Sequence, residues 1–378
     1  MNLTNFMPVL RIGNLEAKIP IIQGGMSVGI SLSSLSSAVA NEGGIGVIGS
    51  AGIGMFEEDF NKNYKEANKR ALRKEIRRAR ERTDGIIGVN IMVALTDFDD
   101  LLKVAVDEEV DVVLSGAGLP LKIPVEYFEN RRTKFIPIVS SAKAADLILR
   151  YWERSYGEIP DGFVVEGPMA GGHLGFKKDQ IDDPRYSLEN ILQAVLMIVE
   201  RYSRKHSREI PVIAAGGIYT GEDIYEFIKL GASGVQMATR FVATYECDAS
   251  MEFKMAYINA KKDDLIIIDS PVGLPGRAIR SEFLNDVAKG KRKPFRCFWK
   301  CLKTCDFRKS PYCIADALTN AKGGNLKDGF AFAGANAYRI SKMMSVKELI
   351  AELIRGYEKA RRDDENIREK VEASQGEE

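Results

Sequence analysis

Only two histidines occur among the 378 residues. Imidazole chemistry near neutral pH is therefore confined to His173 and His206. Cysteine is scarce as well: five in all, an odd number, which does not fit a disulfide framework and points to a reducing, cytoplasmic setting. Neither sign of charge is in excess. The 54 basic and 53 acidic residues leave a formal net charge of +1, which argues against nucleic acid or an anionic membrane as the main partner. No apolar run approaches the ~20 residues that a membrane-spanning helix needs. The opening stretch MNLTNFMPVLRIGNL has no basic start followed by an apolar core, so no export signal is expected. The patterns G-x-x-x-x-G-K-[ST] and H-E-x-x-H are also missing, which removes a P-loop and that zinc motif.

What the chain does contain is a repeated alternation. Eight short apolar runs are strand candidates: IPIIQGG (19–25), GIGVIGS (44–50), GIIGVNIM (85–92), VDVVLSG (110–116), FIPIVSS (135–141), GFVVEG (162–167), IPVIAAGG (210–217) and SGVQMATR (233–240). Each is continuously apolar, as expected of parallel strands covered on both faces. Helical patterns such as AADLILRYWERS and LENILQAVLMIVERYS separate them. Eight units are the count of a (β/α)8 TIM barrel, which takes ~250 residues. An open, doubly wound sheet would more often carry G-x-G-x-x-G after its first strand, and that pattern is absent there. The expected organisation is a barrel from residues 1–245 and 318–378, with a small inserted lobe at 246–317 lying over the substrate. Residues 57–82 read as a long charged helix with spaced apolar anchors, and the polar tail from residue 363 is expected to fray.

In such a barrel the strand C-terminal ends converge on one face, where a site is expected. The candidates there are Gly24 and Met26, Asn90, Glu166, the trio Gly171, Gly172 and His173, the pair Gly216 and Gly217, and the run Gln236, Met237, Ala238 and Thr239. The loops after strands seven and eight offer bare backbone N–H groups suited to a phosphate, so a mononucleotide such as FMN or a phosphorylated substrate fits the mouth. A scarce histidine directly after a strand and crowded by glycines suits a ligand-facing proton handler better than a structural residue. His206, in RYSRKHSREIP, reads as a surface residue. Met26 and Met237 serve equally well as core. Cys297, Cys301, Cys305 and Cys313 are clustered enough for an iron–sulfur or zinc site. On a helix the first three would share a face, yet no C-x2-C pair occurs, and no metal is assigned.

The stretches PIIQGGMS, GVNIM, AGGHLG, IPVIAAGGI and GVQMATRF, in this order, resemble the nitronate monooxygenase family, formerly 2-nitropropane dioxygenase, which includes FMN-dependent enoyl-ACP reductases. SPVGLPGRAI and GANAYRI are weaker echoes of it. The resemblance implies FMN held by Met26, Asn90, Glu166, Gly171, Gly217, Gln236, Ala238 and Thr239, with Lys143 as an extra contact. It places the family's catalytic histidine at His173, which removes an α-proton from neutral nitroalkanes in some members. The implied reaction is oxidative denitrification of alkyl nitronates. The alternative is an enoyl-ACP reductase drawing on NAD(P)H, for which the basic run 289–296 could meet an acidic carrier protein. The expected partner is a small molecule, a nitronate or an enoyl thioester, and a homodimer is compatible with the sequence. Two positions depart from the pattern: Met169 stands where Glu is common, and Glu166 where Gln is frequent.

Overall fold

Each of the eight apolar runs contains a barrel strand to within one residue. The structure is a computed structural model describing residues 7–124, 126–129, 132–297 and 299–375. The chain begins with a hairpin, β1 (Leu10–Ile12) and β2 (Leu15–Ala17), and continues into β3 (Ile21–Gln23), β4 (Ile45–Gly49), β5 (Ile86–Met92), β6 (Val112–Gly116), β7 (Lys134–Val139) and β8 (Phe163–Glu166). After the two-residue strand β9 (Gly172–His173) come β10 (Val212–Ala215), β11 (Gly234–Met237), and the lobe strands β12 (Leu265–Asp269) and β13 (Pro275–Ile279). Strands β3 to β8, β10 and β11 form a closed barrel in which every pairing is parallel.

The continuous apolar character has a physical cause. Alternate residues of one strand feed two different cores. Ile45 and Val47 point into the barrel, whereas Ile48 packs outward under the helices; Val112 and Leu114 face in, and Val113 faces out. The hairpin β1–β2 contributes Leu10, Ile12 and Ala17 to the inner core, closing the barrel at the end opposite the expected site. Its strands are too short to give a periodic signal, so the sequence pattern predicts no element there.

The charged stretch 57–82 is helical over Tyr64–Arg80 and buries Ala67, Ala71, Leu72, Ile76 and Ala79. Its outer face holds Glu108 between Arg73 and Arg77, at 2.9 and 2.8 Å. The tail is not frayed where it is described. A helix runs from Val346 to Gln375, and Asp364 ties it down by accepting from Tyr225 Oη at 2.8 Å and Lys229 Nζ at 2.5 Å. This helix crosses the helix Gly221–Lys229 so closely that a Cβ at Gly221 would stand 2.0 Å from Leu353 O.

The lobe sheet has the order β12-β13-β9, all antiparallel, so β9 extends from the barrel mouth into the lobe. Ile279 N donates to Ala331 O and Ala333 N to Arg277 O, which ties residues 331–333 to this sheet from beyond position 317. The cysteine segment is not the helix considered from its spacing. Among the described residues, 291–313 contain no helix, and Pro294 and Pro311 interrupt the stretch. Instead it is stitched to the loop after β5, with Thr96 N donating to Cys301 O and Lys303 N to Ala94 O.

Candidate active site

A cavity of about 690 Å³ lies between the barrel mouth and the lobe. Its barrel wall carries Gly24 and Met26 after β3, Asn90 on β5, and Glu166 at the end of β8. Gln236, Ala238 and Thr239 enter from β11 and the turn beyond it. Gly171, Gly172 and His173 close the side on which β9 leaves the barrel. Ten of the fourteen residues singled out from the sequence thus share one wall. The close fit of β3 to β5 depends on glycine: a Cβ at Gly25 would stand 2.5 Å from Asn90 Cβ.

Four residues stand apart from this lining. Lys143 is exposed near the start of the helix Ala142–Tyr156. Met237 is buried in the outer core, because its neighbour Gln236 takes the mouth-facing place on β11. Gly216 and Gly217 form the turn after β10 with φ of +95° and +91°, a conformation that favours glycine. This turn is pinned from outside the cavity. Asn336 Nδ2 donates to Gly217 O at 2.5 Å, and the same segment reaches the neighbouring strand end, where Gly334 N donates to the cavity-lining Thr239 Oγ1 at 3.0 Å. Next to it the Tyr219 ring is flanked by the guanidinium groups of Arg240 and Arg339, each 4.3 Å from its centre.

Burial sets the protonation of Glu166 and His173 on the wall. The Glu166 carboxyl is pushed up to about 7, so at neutral pH it is partly protonated and can donate a hydrogen bond. The His173 imidazole is pushed down to about 4 by the same cause, so the ring is neutral at pH 7. Its Nε2 lies 2.7 Å from Ser270 Oγ, and its ring meets Phe332 edge-on at 5.0 Å. The other histidine, His206, ends the helix Leu188–His206 and pairs with Glu153 at 2.6 Å, remote in role from the cavity.

Sequence reasoning missed several residues that shape this site. Arg277 on β13 is buried and donates through Nη1 to Pro168 O at 2.5 Å and Ala170 O at 2.9 Å, holding the loop that leads to His173. Its signal in the sequence is the GRAI stretch, a weak echo of the family pattern. Asp97, a buried carboxylate on the cavity wall, accepts from Asn68 Nδ2 at 2.7 Å, and burial raises its pKa. Nothing in the local sequence marks it. All five cysteines are free thiols, and Cys301 reaches the cavity wall. Among the described residues, no group of three or more His, Cys, Asp or Glu is arranged to hold a metal ion. Nor, among them, is any helix long and apolar enough to cross a membrane.

Gln236 lines the cavity beside Gly24, and its Oε1 is buried with no hydrogen-bond partner. A buried acceptor of this kind is costly unless a ligand satisfies it. It fits a flat group that presents an N–H in its plane, as the single N3–H of an oxidised flavin ring does.

Fold and site together define a (β/α)8 barrel of the enzyme type, with a lobe-covered cavity at its mouth. The chain belongs to the nitronate monooxygenase family, matching it over residues 10–104 and 96–356, and is an oxidoreductase. A probable nitronate monooxygenase of Staphylococcus saprophyticus is 28% identical over 300 residues, covering 72% of this chain and 79% of the relative. An indene-carboxyl-CoA dehydrogenase of Mycobacterium tuberculosis is also 28% identical, over 329 residues, covering 85% and 81%. Among solved structures, FabK from Thermotoga maritima superposes with a TM-score of 0.70 at 29% identity, covering 95% of this chain and 96% of that one.

Proposed function

We propose that this chain binds FMN across the barrel mouth and oxidises small alkyl nitronates. In the balanced reaction two nitronate anions and one dioxygen give two carbonyl compounds and two nitrite ions. The observation that carries the cofactor is the orphaned Oε1 of the cavity-lining Gln236, and family membership supports the reaction. Asn90, Glu166 and Gln236 would hold the flavin ring, with Met26 and Gly171 against it. The Gly217 turn and the Ala238–Thr239 backbone would take the phosphate. A bound FMN supplies the electron transfer between nitronate and oxygen. The protein's own residues do the rest. The lobe covers the cavity, which lowers the local dielectric and strengthens polar contacts inside it relative to open solvent. Protonated Glu166 donates a hydrogen bond without adding a negative charge beside an anionic substrate. His173, neutral at pH 7 and on the cavity wall, would bind the nitronate oxygens.

The visible spectrum of the purified protein, with and without added FMN, tests the cofactor directly. A protein that stays colourless after FMN addition overturns it. Anaerobic mixing then separates the reactions: bleaching by ethylnitronate supports the nitronate reading, whereas rapid bleaching by NADH would favour an NAD(P)H-dependent enoyl reductase. His173→Asn should keep the flavin and lose roughly 10²- to 10⁴-fold in turnover, the range of a positioned polar catalytic group. Unchanged turnover would remove His173 from the mechanism.

A further inference from the structure

The contact between His173 and Ser270 assigns more than a position to the ring. Ser270 follows β12 at the tip of the lobe hairpin and is only 7% exposed. The turn fixes it from both sides, since its N–H donates to Leu274 O and its carbonyl accepts from Gly273 N. Its hydroxyl oxygen accepts from Val272 N at 3.5 Å. Among the described residues the hydroxyl hydrogen then has one acceptor in reach, His173 Nε2 at 2.7 Å. A neutral imidazole has one accepting nitrogen and one N–H. If Nε2 accepts from Ser270, the hydrogen sits on Nδ1. His173 lines the cavity and Ser270 does not, so Nδ1 is the ring nitrogen left for a ligand.

We propose that Ser270 is a positioning residue that locks His173 as the Nδ1–H tautomer, so that the ring meets its ligand as a hydrogen-bond donor rather than as a base. With the reaction proposed above, on which the ligand's identity rests, this is chemically apt. A nitronate is already ionised, needs no proton removed, and presents negatively charged oxygens that an N–H can hold. The low basicity that burial imposes on the ring agrees with this role. The charged groups nearby are Glu166 on the same cavity wall, Arg277 on the strand paired with β9, and the exposed Lys178–Asp269 pair, 2.7 Å apart, whose Asp269 precedes Ser270 in the chain.

Two histidines make the test direct, because imidazole ¹⁵N resonances of the full chain contain only His173 and His206. His206, paired with Glu153, is the internal control. The wild-type protein, with and without FMN, should show His173 protonated on Nδ1. Ser270→Ala should release it into a tautomer mixture and raise its pKa by roughly half to one pH unit, leaving His206 unmoved. Ser270→Thr should restore the wild-type pattern. In the FMN-loaded enzyme, Ser270→Ala should lower kcat for ethylnitronate by roughly 3- to 10-fold with little change in KM. A wild-type ring protonated on Nε2, or a His173 spectrum unchanged in Ser270→Ala, overturns the inference. A protein with the Nδ1–H ring but no nitronate turnover would refute the proposed reaction and leave the tautomer assignment standing.

Discussion

Replacing Glu166 by Gln should reshape how stability depends on pH, and the direction follows from burial alone. In the folded chain the Glu166 carboxyl titrates near 7, against 4.5 when exposed. The folded state therefore holds the proton more tightly. Its stabilising contribution is complete below about pH 4.5 and is lost as pH rises through 7. A tenfold difference in proton affinity between folded and unfolded chain is worth ~1.4 kcal/mol, so the loss is about 2 to 3 kcal/mol once solvent entering the cavity is allowed for. His173 works in the opposite sense. Its folded pKa is about 4 against 6.5, so its contribution is present above 6.5 and is lost as pH falls through 4. In the wild type the two slopes oppose each other between 4.5 and 6.5 and largely cancel. Glu166→Gln removes one of them. Urea unfolding of the flavin-free chain across this range should show the variant gaining about 2 to 3 kcal/mol on the wild type between pH 4.5 and 7. A difference curve that is flat, or that falls with pH, would refute the reasoning.

Two further substitutions test the packing that holds the site. Gly221→Ala drives a Cβ to 2.0 Å from Leu353 O and should cost about 3 kcal/mol in urea unfolding, by forcing the C-terminal helix away. Gly157→Ala, with φ of +68° and nothing within 4 Å, should cost only about 1 kcal/mol and serves as the contrast. Arg277→Met strips the donor from Pro168 O and Ala170 O and should destabilise by about 3 kcal/mol, with turnover falling because the loop into His173 loosens. Equal stability of Arg277→Met and wild type in the same assay would show that those carbonyls find other partners.

The barrel was legible because its strands feed two apolar cores at once, which leaves an unmistakable run at Ile45–Gly49 or Val112–Gly116. The mouth-facing residues were legible for the same reason: once strand ends are known, their side chains converge. What stayed hidden depends on contacts far apart in the chain. Ser270 reaches His173 across 97 positions, and Arg277 reaches Pro168 across 109. No local pattern encodes either. Lys143 and Met237 show the complementary error. Lys143 precedes the cavity-lining Ala144 and Met237 follows the cavity-lining Gln236, yet periodicity turns each side chain elsewhere. The tail misled because its polar composition is that of a solvated end, whereas Asp364 anchors it through Tyr225 and Lys229.

The two departures from the family pattern have a common electrostatic meaning. Where Glu is common this chain has Met169, and where Gln is frequent it has Glu166. The Met169 side chain lies against the Gly217 turn: a Cβ on Gly217 would stand 2.9 Å from Met169 Cβ. A carboxylate at 169 would thus sit beside the loop proposed to hold the FMN phosphate. At 166 the carboxyl is buried on the cavity wall and partly protonated at neutral pH. The pair of exchanges moves one acidic group from the phosphate end to the ring end, where burial largely quiets its charge. Met169→Glu should therefore weaken FMN binding through like-charge repulsion. Because position 169 is 42% exposed, solvent and salt screen that repulsion, and the expected loss is roughly 2- to 5-fold at low ionic strength. Fluorescence titration with FMN at low and high salt reads it: the deficit should shrink as salt rises. An affinity equal to wild type at low salt would mean that the phosphate does not lie at the Gly217 turn.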